Sequence, residues 1–496
     1  MNIQKKLNNI PWFHFILPLS FFLAEISIIC FYYRFEFNPD EGINLIKAFL
    51  IYYDFELYRD IWSDQPPLLT NILAFIFNIF EPNVNSARLI ILFFSTVLLW
   101  QVWLILYLFG GVLHAYIGCF FLIISPQYWR LSISVMIGLP CITLTTGAII
   151  SIILWHVNKS KGWLITSALL LSLSIATKLF TLFVALIIVI GILIDIALNH
   201  ARSSWHKKLQ HPAIWLITFL GFSSLLFLFQ VGVNNFHFLI GNHAGARNIG
   251  AFQDIDLGRS MKNDYRIFLI GFAVWATIIA WQRRQWQILY FTAWFASSYL
   301  LLINHRPVWH HHVLLLLVPA IILVGYGIGE IITKQIKLDL VCCFKRNKIM
   351  SIFILAVSIV TILLIGEQTK TTAKEIDGWL IPNNKNEIAA QIDEQFLVEI
   401  IKLKPQTDWI FTDSPMFAFR ADIPIPPSTA VLSQKQIITE NITESKLINV
   451  INLYQPQQIL LKRFPWLKLT KAIDRDYELI KKIDNYRLYL RKDRKD

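Results

Sequence analysis

The chain has 496 residues, 55% of them apolar and 16% charged, with mean hydropathy +0.52 and a formal charge of +12. Soluble domains carry about 25% charged residues, and the apolar excess here falls in windows of about 20 residues, the length that crosses a bilayer core. A soluble, disordered or fibrous chain is excluded, and the sequence reads as an all-α polytopic membrane protein.

Lys5 and Lys6 precede an apolar run from Pro11 to Tyr33. The run is too long for a signal-peptide core and no small-residue cleavage site follows it, so it reads as an uncleaved first span. Further spans are expected at roughly 86–109, 112–127, 132–156, 163–178, 179–199, 212–232, 266–281, 286–303, 313–333 and 349–367. That makes about eleven transmembrane helices.

With the N-terminus inside, the inward loops hold fourteen bases, among them Lys159, Lys161, Arg202, Arg283 and Arg284. The longer outward loops hold nine. Such an asymmetry orients spans, and an odd span count puts the C-terminal tail outside. The positive balance therefore reports orientation. No basic stripe interleaved with aromatics marks a nucleic-acid face, so nucleic acid is not a partner. The five cysteines fall in spans or inward of them and form no CxxC pair, which argues against a disulfide framework or thiolate zinc site.

Three outward segments interrupt the apolar pattern: 34–85, 232–265 and 304–312. The first holds eight acids against three bases. It opens with Asn38-Pro39-Asp40-Glu41-Gly42, where Asn38 suits an N-cap and Pro39 the first helical position. Asp40, Asn44, Lys47 and Asp54 then share one stripe and Ile43, Ile46, Phe49 and Leu50 the other, which predicts an amphipathic helix on the outer membrane surface. Asp64 precedes Pro66-Pro67, the start of a second helix that runs apolar to Phe80. Two carboxylates on two surface helices could divide roles between base and ligand. The same placement also suits first-turn acids favoured by the helix dipole, and spacing does not separate these readings.

The second segment contains His243 and Arg247, and the third carries His310, His311 and His312. Three consecutive histidines cannot all face one ion from a regular helix, so they read as interfacial. Glu25 and Asp195 lie within spans, where charge is costly, and are expected to face the protein interior. Past the last span, residues 368–496 turn soluble. Ile388, Ile392, Phe396 and Ile400 follow helical spacing, 408–413 and 458–461 read as strands, and 477–491 as a hairpin turning at Asp484-Asn485. A small soluble α/β domain on the non-cytoplasmic side is expected beyond a membrane domain at 1–367.

The pattern Asn38-Pro39-Asp40-Glu41-Gly42, Glu56-Leu57-Tyr58-Arg59-Asp60-Ile61-Trp62-Ser63-Asp64-Gln65-Pro66-Pro67-Leu68-Leu69 and Asn85-Ser86-Ala87-Arg88-Leu89-Ile90 resembles the polyprenyl-phosphate-sugar-dependent glycosyltransferases of the GT-C superfamily. The similar branch is the protein O-mannosyltransferase and lipid A aminoarabinose transferase type. The resemblance implies a polyprenyl-phosphate-linked sugar donor and a lipid, glycan or protein acceptor, met at the outer face of a bacterial inner membrane. It implies that Asp40 is the catalytic base, with Glu41 beside it and Asp64 on the second helix.

Lys178, in Ala176-Thr177-Lys178-Leu179, matches the family's donor-phosphate lysine, although a lysine snorkelling at a helix end fits the same position. Arg247, Arg59 and His310 are further candidates for the phosphate. Some relatives use a divalent metal, for which Asp64 with His243 is the candidate pair. Gln65 departs from relatives with Lys or His there, which leaves one phosphate or acceptor contact open. A transporter or flippase, and a polysaccharide polymerase or ligase, are the competing classes. Repeated halves with mid-membrane ion sites would mark a transporter, and no repeat is visible. Polymerases usually lack the acidic loop and the soluble tail.

Overall fold

A computed structural model describes residues 3–31, 34–199, 205–239, 254–261, 266–337, 363, 365–378 and 384–494. The expected span at 349–367 lies almost wholly outside the described residues. Among the described residues, seven helices are long and apolar enough to cross a membrane, or eight if one bent pair counts as a span. The protein is a multi-pass membrane protein.

The bundle begins with α1 (Ile16–Phe31). Two helices of the first outward segment follow, α2 (Pro39–Tyr52) and α3 (Leu68–Phe80). The chain then enters α4 (Val84–Phe109), whose Asn83 side chain caps the amides of Asn85 and Ser86. The bent pair is α5 (Val112–Ile123) with α6 (Pro126–Ser132), turned by 76°. The sequence reading ran a straight span to 127. Pro126 breaks it, because the ring removes an amide and fixes φ, and Ser125 caps the new helix. Then come α7 (Gly138–Asn158), α8 (Lys161–Thr177), α9 (Phe183–Asn199), α10 (Trp205–Gln230), α11 (Arg266–Gln282), α12 (Leu289–Ile303) and α13 (Leu314–Lys337). The expected spans at 163–178 and 266–281 are present as helices of 17 residues each.

Apolar side chains such as Leu186, Ile217, Leu220 and Phe229 stay on the outside of the bundle, as lipid contact requires. Trp103, Trp155 and Trp294 are fully enclosed. Helices α5 and α13 cross at glycines. A Cβ on Gly325 would come within 2.8 Å of the Gly118 Cα, so only small residues allow this approach. Both intramembrane acids face inward as expected, Glu25 fully buried and Asp195 nearly so. Asp195 meets His156 at 3.0 Å and the Lys159 ammonium.

The C-terminal segment forms α14 (Asn384–Lys402), β1 (Ile410–Thr412), α15 (Pro415–Ala421), α16 (Gln434–Ile438), α17 (Glu444–Tyr454), β2 (Gln458–Leu461), α18 (Leu467–Ile473), β3 (Tyr477–Ile483) and β4 (Tyr486–Arg491). The sheet order is β1-β2-β4-β3, with β1 parallel to β2 and the remaining pairs antiparallel. Alternation along the strands serves two cores. Ile410, Leu460 and Leu488 pack toward the large core shared with the bundle, whereas Phe411, Ile459 and Tyr489 pack under α17 and α18.

The domain docks through α15 onto α2. A Cβ on Gly42 would meet the Met416 amide nitrogen at 2.8 Å, so the glycine permits the contact. Phe419 lies against Phe49 and Phe77, and Phe417 against Phe35. The Arg420 guanidinium donates to the carbonyls of Phe35 and Arg34 at 2.7 and 3.0 Å. The amphipathic surface helix expected from Pro39, with its polar stripe running to Asp54, is corrected by this packing. Residues 41–50 are all buried, because α15 packs on the Gly42 and Phe49 side while the polar side turns toward the bundle, where Asn44 donates to the Val135 carbonyl at 2.9 Å.

Candidate functional site

Asn38 caps α2, its side chain accepting from the Asp40 amide at 3.0 Å, and Pro39 occupies the first turn as expected. That start projects Asp40 from the outer end of the helix, where it is partly exposed. Glu41, one residue on, points the other way. Its carboxylate takes the Arg88 guanidinium in a bidentate pair at 2.8 and 3.0 Å, and accepts from the amides of Phe37 and Val135. Both partners are buried, and the oxygens are fully engaged. Glu41 therefore anchors the α2 start to α4 and does not face the reacting groups.

Asp64 sits just before α3, in a loop fixed by the Tyr58 hydroxyl and Ser63 Oγ, which both donate to the Gln65 carbonyl. Its carboxylate accepts from the Gln65 amide nitrogen and from the Lys435 ammonium, each at 3.3 Å. Asp40 and Asp64 lie within electrostatic reach of each other and of Lys47 and Lys178. Burial raises the Asp40 pKa above its ordinary value, and Asp64 adds to the rise. Arg463, Lys178 and Lys47 oppose it.

Lys178 ends α8, its backbone extended and its amide bonded to the Ser174 carbonyl at 2.9 Å. The side chain is 7% exposed and its ammonium lies 4.6 Å from the centre of the Phe180 ring. A snorkelling lysine would reach water, so that reading is set aside. Cys141, Thr181, His311 and His312 line the cavity beside it. Burial and the Lys178 and Arg130 charges push the His311 pKa well down, keeping the ring neutral. His310 is exposed and its Nδ1 meets the Ser260 carbonyl at 3.2 Å. Successive residues of a tight turn diverge, which is why His311 and His312, not His310, line this cavity.

Arg59 stays apart from the cluster. Its guanidinium is exposed and pairs with Glu56 and Asp60 at 2.7 and 2.9 Å. His243 and Arg247 lie outside the described residues. Among the described residues no group of three or more His, Cys, Asp or Glu could hold a metal. The Asp64 carboxylate meets the Lys435 ammonium and the Gln65 side-chain amide, and its proposed metal partner His243 lies outside the described residues.

Lys47 and Arg88 appear in the sequence patterns without a role at the site, and Arg130, Lys435 and Arg463 are not singled out there. Arg88 carried a usable signal, a cation in the first turn of an apolar span, which must find a partner. Lys435 and Arg463 carried none, since nothing local marks them.

Glu36 adds a pH-sensitive element behind the site. Burial, with Glu41 and Asp393 nearby, pushes its pKa up to about 7 from an ordinary 4.5, against Lys462 and Arg463. The folded state binds this proton more tightly than the unfolded chain. Its stabilising contribution is complete below pH 4.5 and is lost as pH rises through about 7. Glu36→Gln is expected to be more stable than the parent at pH 8 by about 2–3 kcal/mol, with the gap closing toward pH 4.5. Thermal unfolding across that range checks it, and a gap independent of pH contradicts it.

No known family's sequence profile matches the chain, and no curated protein matches it in sequence. Solved structures do match in fold. ArnT from Cupriavidus metallidurans, bound to undecaprenyl phosphate, is similar with TM-score 0.61 and 11% identity over 96% of this chain and 97% of that one. The archaeal oligosaccharyltransferase AglB from Archaeoglobus fulgidus, in complex with an inhibitory peptide and a dolichol-phosphate, gives 0.55 and 12% over 91% of this chain and 70% of that one. The same organism's oligosaccharyltransferase in complex with Zn and sulfate gives 0.54 and 12%, over 90% and 68%. The fold is the GT-C type that the sequence resemblance implied, including the C-terminal α/β unit.

Proposed function

We propose that the protein is a membrane glycosyltransferase that moves a sugar from a polyprenyl-phosphate donor to an acceptor on the non-cytoplasmic face. In a bacterial host that is the periplasmic side of the inner membrane. The observation that carries the reading is the meeting of Asp40, Asp64 and the buried Lys178 at the outer end of the bundle. ArnT and AglB, bound to undecaprenyl phosphate and dolichol-phosphate, support the donor class by their shared fold.

In this reading the acceptor hydroxyl gives its proton to Asp40 as its oxygen bonds to the anomeric carbon. The carbon–oxygen bond to phosphate breaks on the opposite face, so the configuration inverts and polyprenyl phosphate leaves as a dianion. Asp40 then releases the proton to solvent. A base must lie within about 3 Å of the acceptor oxygen, and the departing phosphate needs fixed positive charge, which Lys178 supplies. Glu41 and Arg88 hold the α2 start in place.

The test is transfer by purified protein supplied with a panel of radiolabelled polyprenyl-phosphate sugars and envelope acceptors. Turnover with at least one donor is expected, and Lys178→Ala is expected to raise donor KM about tenfold or more. No transfer across the panel overturns the reading. An unchanged KM with normal kcat removes Lys178 from the donor site.

A further inference from the structure

The transfer site described above draws on the membrane bundle and the first outward segment. The C-terminal domain reaches it at three points. Arg420 grips the backbone at Arg34 and Phe35, Met416 closes on Gly42, and Lys435 pairs with Asp64. Asp413, three residues before Met416, is fully buried and clamps the turn after β2. Its carboxylate accepts from the amides of Lys462, Arg463 and Phe464 at 2.8, 3.0 and 3.0 Å, and from the Trp466 indole at 3.0 Å. The turn is thus held near the start of α2, with the Lys462 ammonium 5.7 Å from the Phe35 ring and the turn's charges reaching Glu36 and Asp40.

The two bases of that turn have different partners. Lys462 is committed within its own domain, its ammonium 2.8 Å from Asp393. Arg463 stacks on Phe464, reaches the Asp413 carbonyl at 3.5 Å, and has no salt-bridge partner among the described residues. Its charge falls on Asp40 and Glu36.

We propose that Lys435 and Arg463 are donor-phosphate cations supplied by the C-terminal domain, so that the domain completes the transfer site instead of merely covering it. Charge complementarity carries the assignment. Asp40 and Asp64 are faced by Lys47 and Lys178 from the membrane part, with Arg130 next to Lys178 around His311. Lys435 and Arg463 add two positive charges to that set, Lys435 at 3.3 Å from Asp64. A departing phosphate monoester dianion requires such added positive charge. The bound diester donor carries only one negative charge, so the extra cation acts on the charge that develops as the bond breaks.

Lys435 also stands beside Gln65, since both donate to the same Asp64 carboxylate. The ammonium absent from position 65 is therefore restored from the other end of the chain. The arginine adds a planar fork that matches phosphate oxygens, which a lysine does not.

This inference rests on the donor class proposed above, and its test separates the two. Full-length protein in nanodiscs is titrated with a prenyl monophosphate and with the corresponding uncharged alcohol, read by thermophoresis. Lys435→Gln and Arg463→Gln are each expected to weaken the monophosphate about tenfold and leave the alcohol unchanged. Arg463→Lys, which keeps the charge and loses the fork, is expected to fold normally and lose about threefold. Wild-type monophosphate affinity in the Gln variants overturns the inference. Should a Gln variant unfold, wild-type affinity in Arg463→Lys does the same. A parent protein that binds the monophosphate but transfers no sugar defeats the transferase reading alone. Transfer with both kcat and donor KM unchanged in both Gln variants defeats this inference alone.

Discussion

Asp40→Asn is expected to lower sugar transfer about a thousandfold, inside the range of about 10² to 10⁴ that general-base catalysis contributes. The substitution keeps the shape of the side chain and removes only its capacity to take a proton. The helix start is untouched, because Asn38 binds the backbone amide of residue 40 and not its carboxylate. Thermal unfolding should match or exceed the parent, since burial already disfavours the charged form. The parent should lose kcat/KM as pH falls through a value above the ordinary carboxylate range, and the Asn variant's residual rate should not follow that limb. Undiminished turnover by the Asn variant would remove Asp40 as the base.

Arg88→Met is expected to produce the largest loss of stability, about 3–5 kcal/mol. It strands the Glu41 carboxylate, which is fully buried and keeps only the Phe37 and Val135 amides. The loop from Arg34 to Phe37 would loosen as well, because Arg88 also donates to the Arg34 carbonyl at 3.3 Å. Combining Arg88→Met with Glu41→Gln should recover part of the loss by removing the stranded charge, and the two substitutions should be strongly non-additive. Thermal unfolding of the four proteins in detergent checks both statements. A parent-like melting temperature in Arg88→Met contradicts the anchoring role.

Local patterns in the sequence carried much of this architecture. The strand at 458–461 and the hairpin turning at Asp484-Asn485 appear where β-propensity and turn residues placed them. The helix opening at Pro39 and the one following Pro66-Pro67 also formed, since proline and an Asx cap act within a few residues. What periodicity could not report is what covers a polar stripe. Lys47 and Asn44 have the pattern of solvent-facing residues, yet both are buried, Asn44 against the Val135 carbonyl of the bundle. Likewise the Lys178 position suited a snorkelling lysine, and only the break between α8 and the following turn buries it. Lys435 and Arg463 sit in unremarkable polar stretches of sequence, and their meaning comes from Asp413 and Asp64, which no spacing rule connects to them.

The Asp64–Lys435 pair spans 371 residues of sequence, and the Arg420 contact with Arg34 spans 386. Contacts this distant close late, because the intervening chain must first be ordered. During synthesis the helix that opens at Pro39 leaves the ribosome long before the domain that packs on it. Until residues 416–463 arrive, the Gly42 and Phe49 side of that helix lacks its cover and Asp64 lacks Lys435. A chain cut short of these residues is therefore a membrane bundle without the contacts at Gly42, Phe49 and Asp64. Docking of the C-terminal domain is thus the step that brings Lys435 to Asp64 and closes Met416 on Gly42.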